Sequence, residues 1–158
     1  MTRASGRDLF AALRQVLAAA AAAGVGAGTA DGRRFAALVG SLDLPRDPTG
    51  PAPPDARAPV CRFWEPALDG ADAGPAAGLV PGLRALGPRL RWRQNPDYHR
   101  RPPDPTFLDN YGYAVIAGPP GGEPPLLVHR RLALGVLLLG PGTQYPLHHH
   151  PAVEPISS

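Results

Sequence analysis

The sequence predicts an α+β chain in which a helical N-terminal region precedes the first strands of an antiparallel β-barrel. Two observations carry this. Over residues 7–23, Leu9, Phe10, Leu13, Val16 and Leu17 recur as an apolar stripe at helical spacing within an alanine-rich stretch of high helix propensity. From Leu90 onward the pattern changes to short segments richer in aromatic and β-branched residues, separated by Gly-Pro turns. A run of helices followed by a run of strands is the element order of an α+β fold.

The elements follow in order. Ser5 stands where a helix cap belongs and Gly24 where a helix should stop, giving a first helix over about residues 7–23. A second short helix is expected over about residues 31–42. Residues 45–59, with Asp-Pro and Pro-Pro steps, read as a Pro-rich linker closing an N-terminal region of residues 1–59. Residues 60–158 form the second unit. Within it, residues 60–68, holding Cys61, Phe63 and Trp64, suggest a short helix packed on something larger. Another helical piece covers about residues 76–86, interrupted by Pro81 and stopped by Gly87-Pro88. Strands are expected over residues 111–117, 126–129 and 132–139, joined as a meander by turns at 118–122 and 140–142. The apolar run over residues 132–139 fits a strand buried on both sides or a short buried helix; its length and flanking glycines favour the strand.

Composition narrows the functional classes. The 22 Pro and 19 Gly of a 158-residue chain, together about a quarter of it, approach the level of low-complexity sequence. Much of the 44% hydrophobic content is Ala, which buries little area. All 16 cationic side chains are Arg, a bias that GC-rich codons explain. The net charge is a modest +3, and apart from Arg91, Arg93, Arg100 and Arg101 the arginines are scattered. Without a basic face interleaved with aromatics, no nucleic-acid partner is expected. The single Cys61 excludes an internal disulfide and fits a reducing compartment. Asp8 and Arg14 make the alanine-rich N-terminal stretch a poor export signal, so the expected location is cytoplasmic. No uncharged apolar run is long enough to span a bilayer.

The strongest chemical signal lies in residues 142–154, where Gly142, His148, His150 and Glu154 stand at G-x5-H-x-H-x3-E spacing. Two histidines one residue apart on a strand face the same side and can approach one ion. Imidazole and carboxylate suit a divalent transition metal, Zn, Fe, Mn or Ni, without choosing among them. His149 should point to the opposite face. Three consecutive histidines near a C-terminus can also be an accidental or purification-derived tract, but the glycine and glutamate fall at the offsets a metal motif requires. Tyr145, three residues before His148, is either a packed tyrosine at a strand entrance or, beside a divalent metal, a general base. His99 and His129, each next to arginines, read as solvated surface residues, and Asp109 and Asn110 as a turn.

That spacing is the first metal motif of cupin barrels. The strings Phe63-Trp64-Glu65-Pro66-Ala67-Leu68, Asp109-Asn110-Tyr111-Gly112-Tyr113, Leu134-Gly135-Val136 and Tyr145-Pro146-Leu147-His148-His149-His150-Pro151-Ala152 resemble the dimethylsulfoniopropionate lyases of the cupin superfamily, over roughly residues 60–154. The resemblance implies helices followed by a β-barrel, and cleavage of dimethylsulfoniopropionate to dimethyl sulfide and acrylate. By position it implies metal ligands at His148, His150 and Glu154 and a tyrosine base at Tyr145. Trp64, Trp92, Tyr111 and Tyr113 are candidates to hold the sulfonium by cation-π contact, worth about 1 to 2 kcal/mol, with core packing as the alternative.

The chain departs from the pattern at three places. Where the family carries a site-lining tyrosine two residues after the glutamate, this chain has Ile156; Pro155 removes a ladder donor; and the second motif, with its later histidine, is absent. The expectation is therefore a metal-dependent carbon-sulfur lyase truncated within its cupin-type barrel and impaired in turnover. Its small-molecule partner would be dimethylsulfoniopropionate or a similar small carboxylate. A non-catalytic small-ligand-binding or regulatory module is the alternative, and a homodimer would be one way to complete the half-barrel.

Overall fold

A computed structural model describes residues 6–26, 28–41, 57–72, 76–121 and 125–146. Helix α1 (Gly6–Gly26) forms where the apolar stripe predicts it, and Ala12, Leu13, Val16 and Leu17 lie on its buried face. Burying a Leu or Val side chain contributes about 1.5 to 3 kcal/mol. The predicted stop at Gly24 is overrun, because glycine weakens a helix by about 1 kcal/mol without breaking it. Ser5 lies outside the described residues. Helix α2 (Ala30–Gly40) is capped by Thr29, whose hydroxyl accepts from the Gly32 amide at 3.0 Å, and half-buries Phe35 and Val39 against the core.

Most of the predicted Pro-rich linker also falls outside the described residues, which resume at Arg57. There, Pro59–Phe63 makes a 3-10 turn that leads into α3 (Trp64–Ala71). A second 3-10 turn, Ala77–Leu79, leads into α4 (Val80–Leu86). Pro81 does not interrupt this segment as expected. It sits in the first turn of α4, where its missing N–H has no helical partner to lose. A short helix α5 (Pro96–Arg100), absent from the sequence reading, follows the cap residue Asn95.

The strands are β1 (Tyr111–Gly118), β2 (Leu127–Val128) and β3 (Leu134–Leu139), in the order β2-β1-β3. The predicted meander is corrected at β2. Strands β1 and β3 pair antiparallel, but β2 lies parallel to the end of β1, with Ala117 opposite Leu127 and Gly118 opposite Val128. A two-residue strand needs no helical crossover, so the chain can leave Gly118 and return beside it within one loop.

The expectation that residues 132–139 are buried on both sides also fails. Leu134, Val136 and Leu138 turn toward the core, whereas Gly135 and Leu137 turn away, and Leu137 is 45% exposed. A register shift between Val115 and Ala117 lets both Ile116 and Ala117 face the interior. One hydrophobic cluster runs from α1 through Val60, Trp64 and Trp92 to the sheet. Trp64 and Trp92 meet edge to face within it, ring centroids 5.2 Å apart, so they serve as core and not as a cation cradle. Among the described residues, no helix is long and apolar enough to cross a membrane.

Candidate functional site

A cavity of about 680 Å³ lies against the side of the sheet that carries Tyr113, Val115 and Leu137, and Asn95, Tyr111 and Tyr145 border it as well. Its polar side chains come from three parts of the chain: Asn95 ahead of α5, Tyr111 and Tyr113 on β1, and Tyr145 after β3. Arg93 bridges to β1, exchanging backbone hydrogen bonds with Tyr113 at 2.8 and 2.9 Å, and so lays residues 93–95 along the strand. The Gln94 amide donates to the Tyr111 carbonyl at 2.9 Å and to that of Leu108, which ties the segment down. Asn95 then caps α5, its Oδ1 accepting from the Asp97 amide at 2.9 Å, and one turn later α5 supplies Tyr98.

Tyr145 arrives at the same end of β1 by way of β3. After β3, the Gly140 amide donates to the Asn110 carbonyl at 2.8 Å, and Gly142 adopts φ +74°, a conformation that favours glycine. Gly140 also has to be glycine, since a Cβ there would stand 2.6 Å from Asn110 Oδ1 and 2.8 Å from Phe63 Cε2. This tight turn directs the chain back toward β1 and α5. Asp109 and Asn110, expected as a plain turn, therefore form an anchor: both also receive the Arg62 guanidinium, through the Asp109 carbonyl and Asn110 Oδ1, each at 2.8 Å.

The outcome is a tyrosine cluster. Tyr145 stacks on Tyr111 with centroids 5.8 Å apart and meets Tyr98 edge-on at 6.4 Å. Tyr98 stands edge-on to Tyr111 at 5.2 Å, and Phe107 stacks behind Tyr111 at 4.8 Å. Burial pushes the Tyr111 phenol well above its ordinary value, and the charge and hydrogen bond of Tyr145 push it the same way. Tyr98 is likewise raised, first by burial and then by its hydrogen bond to Tyr145. Both phenols hold their protons and share one partner, Tyr145.

His148, His150 and Glu154 lie outside the described residues. The structure brings Tyr145, Tyr111 and Tyr113 to one cavity and leaves Trp64 and Trp92 in the core. His99 is exposed as expected; His129 is half-buried, and its Nδ1 accepts from the Arg131 amide at 3.2 Å. Among the described residues, no group of three or more His, Cys, Asp or Glu could hold a metal. Burial raises the Cys61 thiol, outweighing the opposing effect of Arg57, and argues against a reactive cysteine. Sequence reasoning missed Asn95 and Tyr98. The Asn95-Pro96-Asp97 string, a cap followed by Pro and an acid, signals the start of α5, but nothing local announces that Tyr98 will meet Tyr145.

Residues 33–156 match the family of dimethylsulfoniopropionate lyases. The chain belongs to that family. It is 33% identical over 102 residues to a putative dimethylsulfoniopropionate lyase, DddL, of Cereibacter sphaeroides, an alignment covering 65% of this chain and 40% of the relative. The chain thus aligns with less than half the length of that relative. No solved structure matches it.

Proposed function

We propose that the chain carries the tyrosine side of a metal-dependent lyase site that cleaves dimethylsulfoniopropionate to dimethyl sulfide and acrylate. The observation that carries this reading is the convergence of Tyr98 and Tyr111 on Tyr145 at the cavity, three residues before His148, in a member of the lyase family. The two imidazoles of His148 and His150 and the carboxylate of Glu154 suit a divalent transition metal by donor chemistry. Bound there, the ion would neutralise charge that builds on the substrate carboxylate during proton removal.

The chain's own residues do the remaining work. Tyr145, as phenolate, takes a proton from the carbon α to the carboxylate. The released electron pair forms the carbon-carbon double bond of acrylate, and the bond from the β carbon to sulfur breaks with its electrons leaving on neutral dimethyl sulfide. Since the leaving group departs uncharged, no acid is required beside it. Tyr98 and Tyr111 keep their protons and can donate to the oxygen of Tyr145 while it is charged. The ring of Tyr113 borders the same cavity and offers aromatic surface to the sulfonium, whereas the faces of Tyr111 are covered by Tyr145 and Phe107.

The test uses the full chain loaded in turn with Fe, Mn, Ni or Zn, following dimethyl sulfide in the headspace and acrylate in solution. Tyr145→Phe should lower turnover by about 100-fold or more, the range of a lost general base. A chain that binds metal and forms product at the same rate after Tyr145→Phe refutes the assigned base. Ligand binding with every metal but no product refutes the lyase reading.

A further inference from the structure

From the hydrogen bonding of Asn95 we infer that its side-chain amide is a carboxylate-recognition donor for the ligand of this cavity, a role that rests on the lyase reading for the identity of the ligand. Asn95 is half-buried and borders the cavity together with Tyr111, Tyr113 and Tyr145. Its amide orientation is fixed by chemistry, since the Asp97 backbone N–H can be met only by the oxygen, which accepts at 2.9 Å. The backbone carbonyl of Asn95 is also engaged, by the Tyr98 amide at 3.0 Å. What remains on the side chain is Nδ2, a two-proton donor with no partner among the described residues.

The surroundings make that donor informative. Tyr98 and Tyr111 are already hydrogen-bonded to Tyr145, so their phenols are not open donors. Apart from the hydroxyls of Tyr113 and Tyr145, the other described lining, including Val115, Leu134, Val136 and Leu137, is apolar, and none of it is charged. A carboxylate entering such a cavity gives up its water, and the oxygen lone pairs that a metal would leave open need hydrogen-bond donors in return. Asn95 supplies them from a rigid position, because the cap bond that orients the amide also prevents it from turning away. The donor is the side-chain amide and not the short helix behind it.

The capping role and the recognition role separate cleanly by substitution. Aspartate caps a helix as well as asparagine does, so N95D preserves the bond to Asp97 while replacing the amide donor with a carboxylate. Titration calorimetry of the full chain with acrylate, which keeps the carboxylate and lacks the sulfonium, reads the contact directly. The expected result is an unchanged Tm and acrylate binding weakened about 10- to 100-fold, the size of a lost charge-assisted hydrogen bond with added like-charge repulsion. N95S, which also caps, should melt with the wild type and bind acrylate at least a few-fold more weakly.

Either variant binding acrylate as tightly as the wild type overturns the inference. If the wild type turns over dimethylsulfoniopropionate and N95D binds acrylate undiminished, the lyase reading stands and Asn95 is only a cap. If acrylate binds through Asn95 but no product forms, the lyase reading falls and the contact stands. A wild-type chain that binds no acrylate overturns both.

Discussion

Replacing Gly82 by alanine tests the packing that holds α4 against α1. Glycine inside a helix normally costs about 1 kcal/mol relative to alanine, so on propensity alone the change should stabilise the chain. The structure reverses the sign. A Cβ at residue 82 would stand 2.7 Å from Val16 Cγ2, 2.9 Å from the Ala12 carbonyl oxygen and 3.2 Å from the Val16 backbone nitrogen. Val16 is 2% exposed and β-branched, so its methyl has no easy alternative position. The Ala12 oxygen belongs to the α1 backbone, and relief requires the two helices to separate. Overpacking of this kind costs about 1 to 3 kcal/mol, and the backbone clash puts it toward the upper end. Subtracting the propensity gain leaves a net loss of roughly 1 to 2 kcal/mol, a fall in Tm of about 3 to 8 °C for a domain of this size. Gly70 in α3 is the control, because a Cβ there meets nothing within 4 Å, and Gly70→Ala should be neutral or stabilising by up to about 1 kcal/mol. Calorimetry or urea unfolding of the two variants decides the matter. A Gly82→Ala chain as stable as Gly70→Ala would refute the close approach of α1 and α4.

Two further outcomes follow from the anchor and from the tyrosines. Arg62 donates to the Pro59 carbonyl at 2.9 Å as well as to Asp109 and Asn110, and its guanidinium lies 4.3 Å from the centroid of the Phe63 ring; Arg62→Ala should cost about 1 to 2 kcal/mol, whereas an unchanged urea midpoint would show the anchor to be idle. Tyr98 and Tyr111 bind their protons more firmly in the folded chain than in the unfolded one, so the stability this contributes is fully present below the ordinary tyrosine value of about 10 and is lost as pH rises through the raised folded values. Urea midpoints should therefore fall as pH is raised above about 10, and fall less steeply in Tyr98→Phe; identical slopes in the two chains would contradict the assignment.

What the sequence disclosed was what local pattern can carry. The stripe of Leu13, Val16 and Leu17 fixes a helix and its buried side because periodicity is a property of neighbours in the chain. The strands at Tyr111 and Leu134 were legible for the same reason. Their partners were not: the parallel placement of Leu127 beside Ala117 depends on how the chain returns from Gly118, and no alternation of residues encodes that. The site divides along the same line. Tyr145 was legible through its place in a motif, but its neighbour Tyr98 comes from a helix 47 residues away. Trp64 and Trp92 looked suited to a cation because aromatic character is visible in sequence, while the side of the sheet on which a ring lands is not.

The floor of the cavity carries a consequence of its own. Ala114, Ala117, Gly118 and Gly135 all border it, and none has a side chain larger than a methyl. Ala114 and Ala117 are also completely buried, and a Cβ on Gly135 would lie 3.0 Å from the Ala114 carbonyl. There is almost nothing there to trim. The methyls of Ala114 and Ala117 turn into the core, so a larger residue at either would crowd the core and not the cavity. What a ligand meets on this floor is backbone, and an enlarged pocket for a bulkier ligand has to come from the walls or from a different course of the sheet.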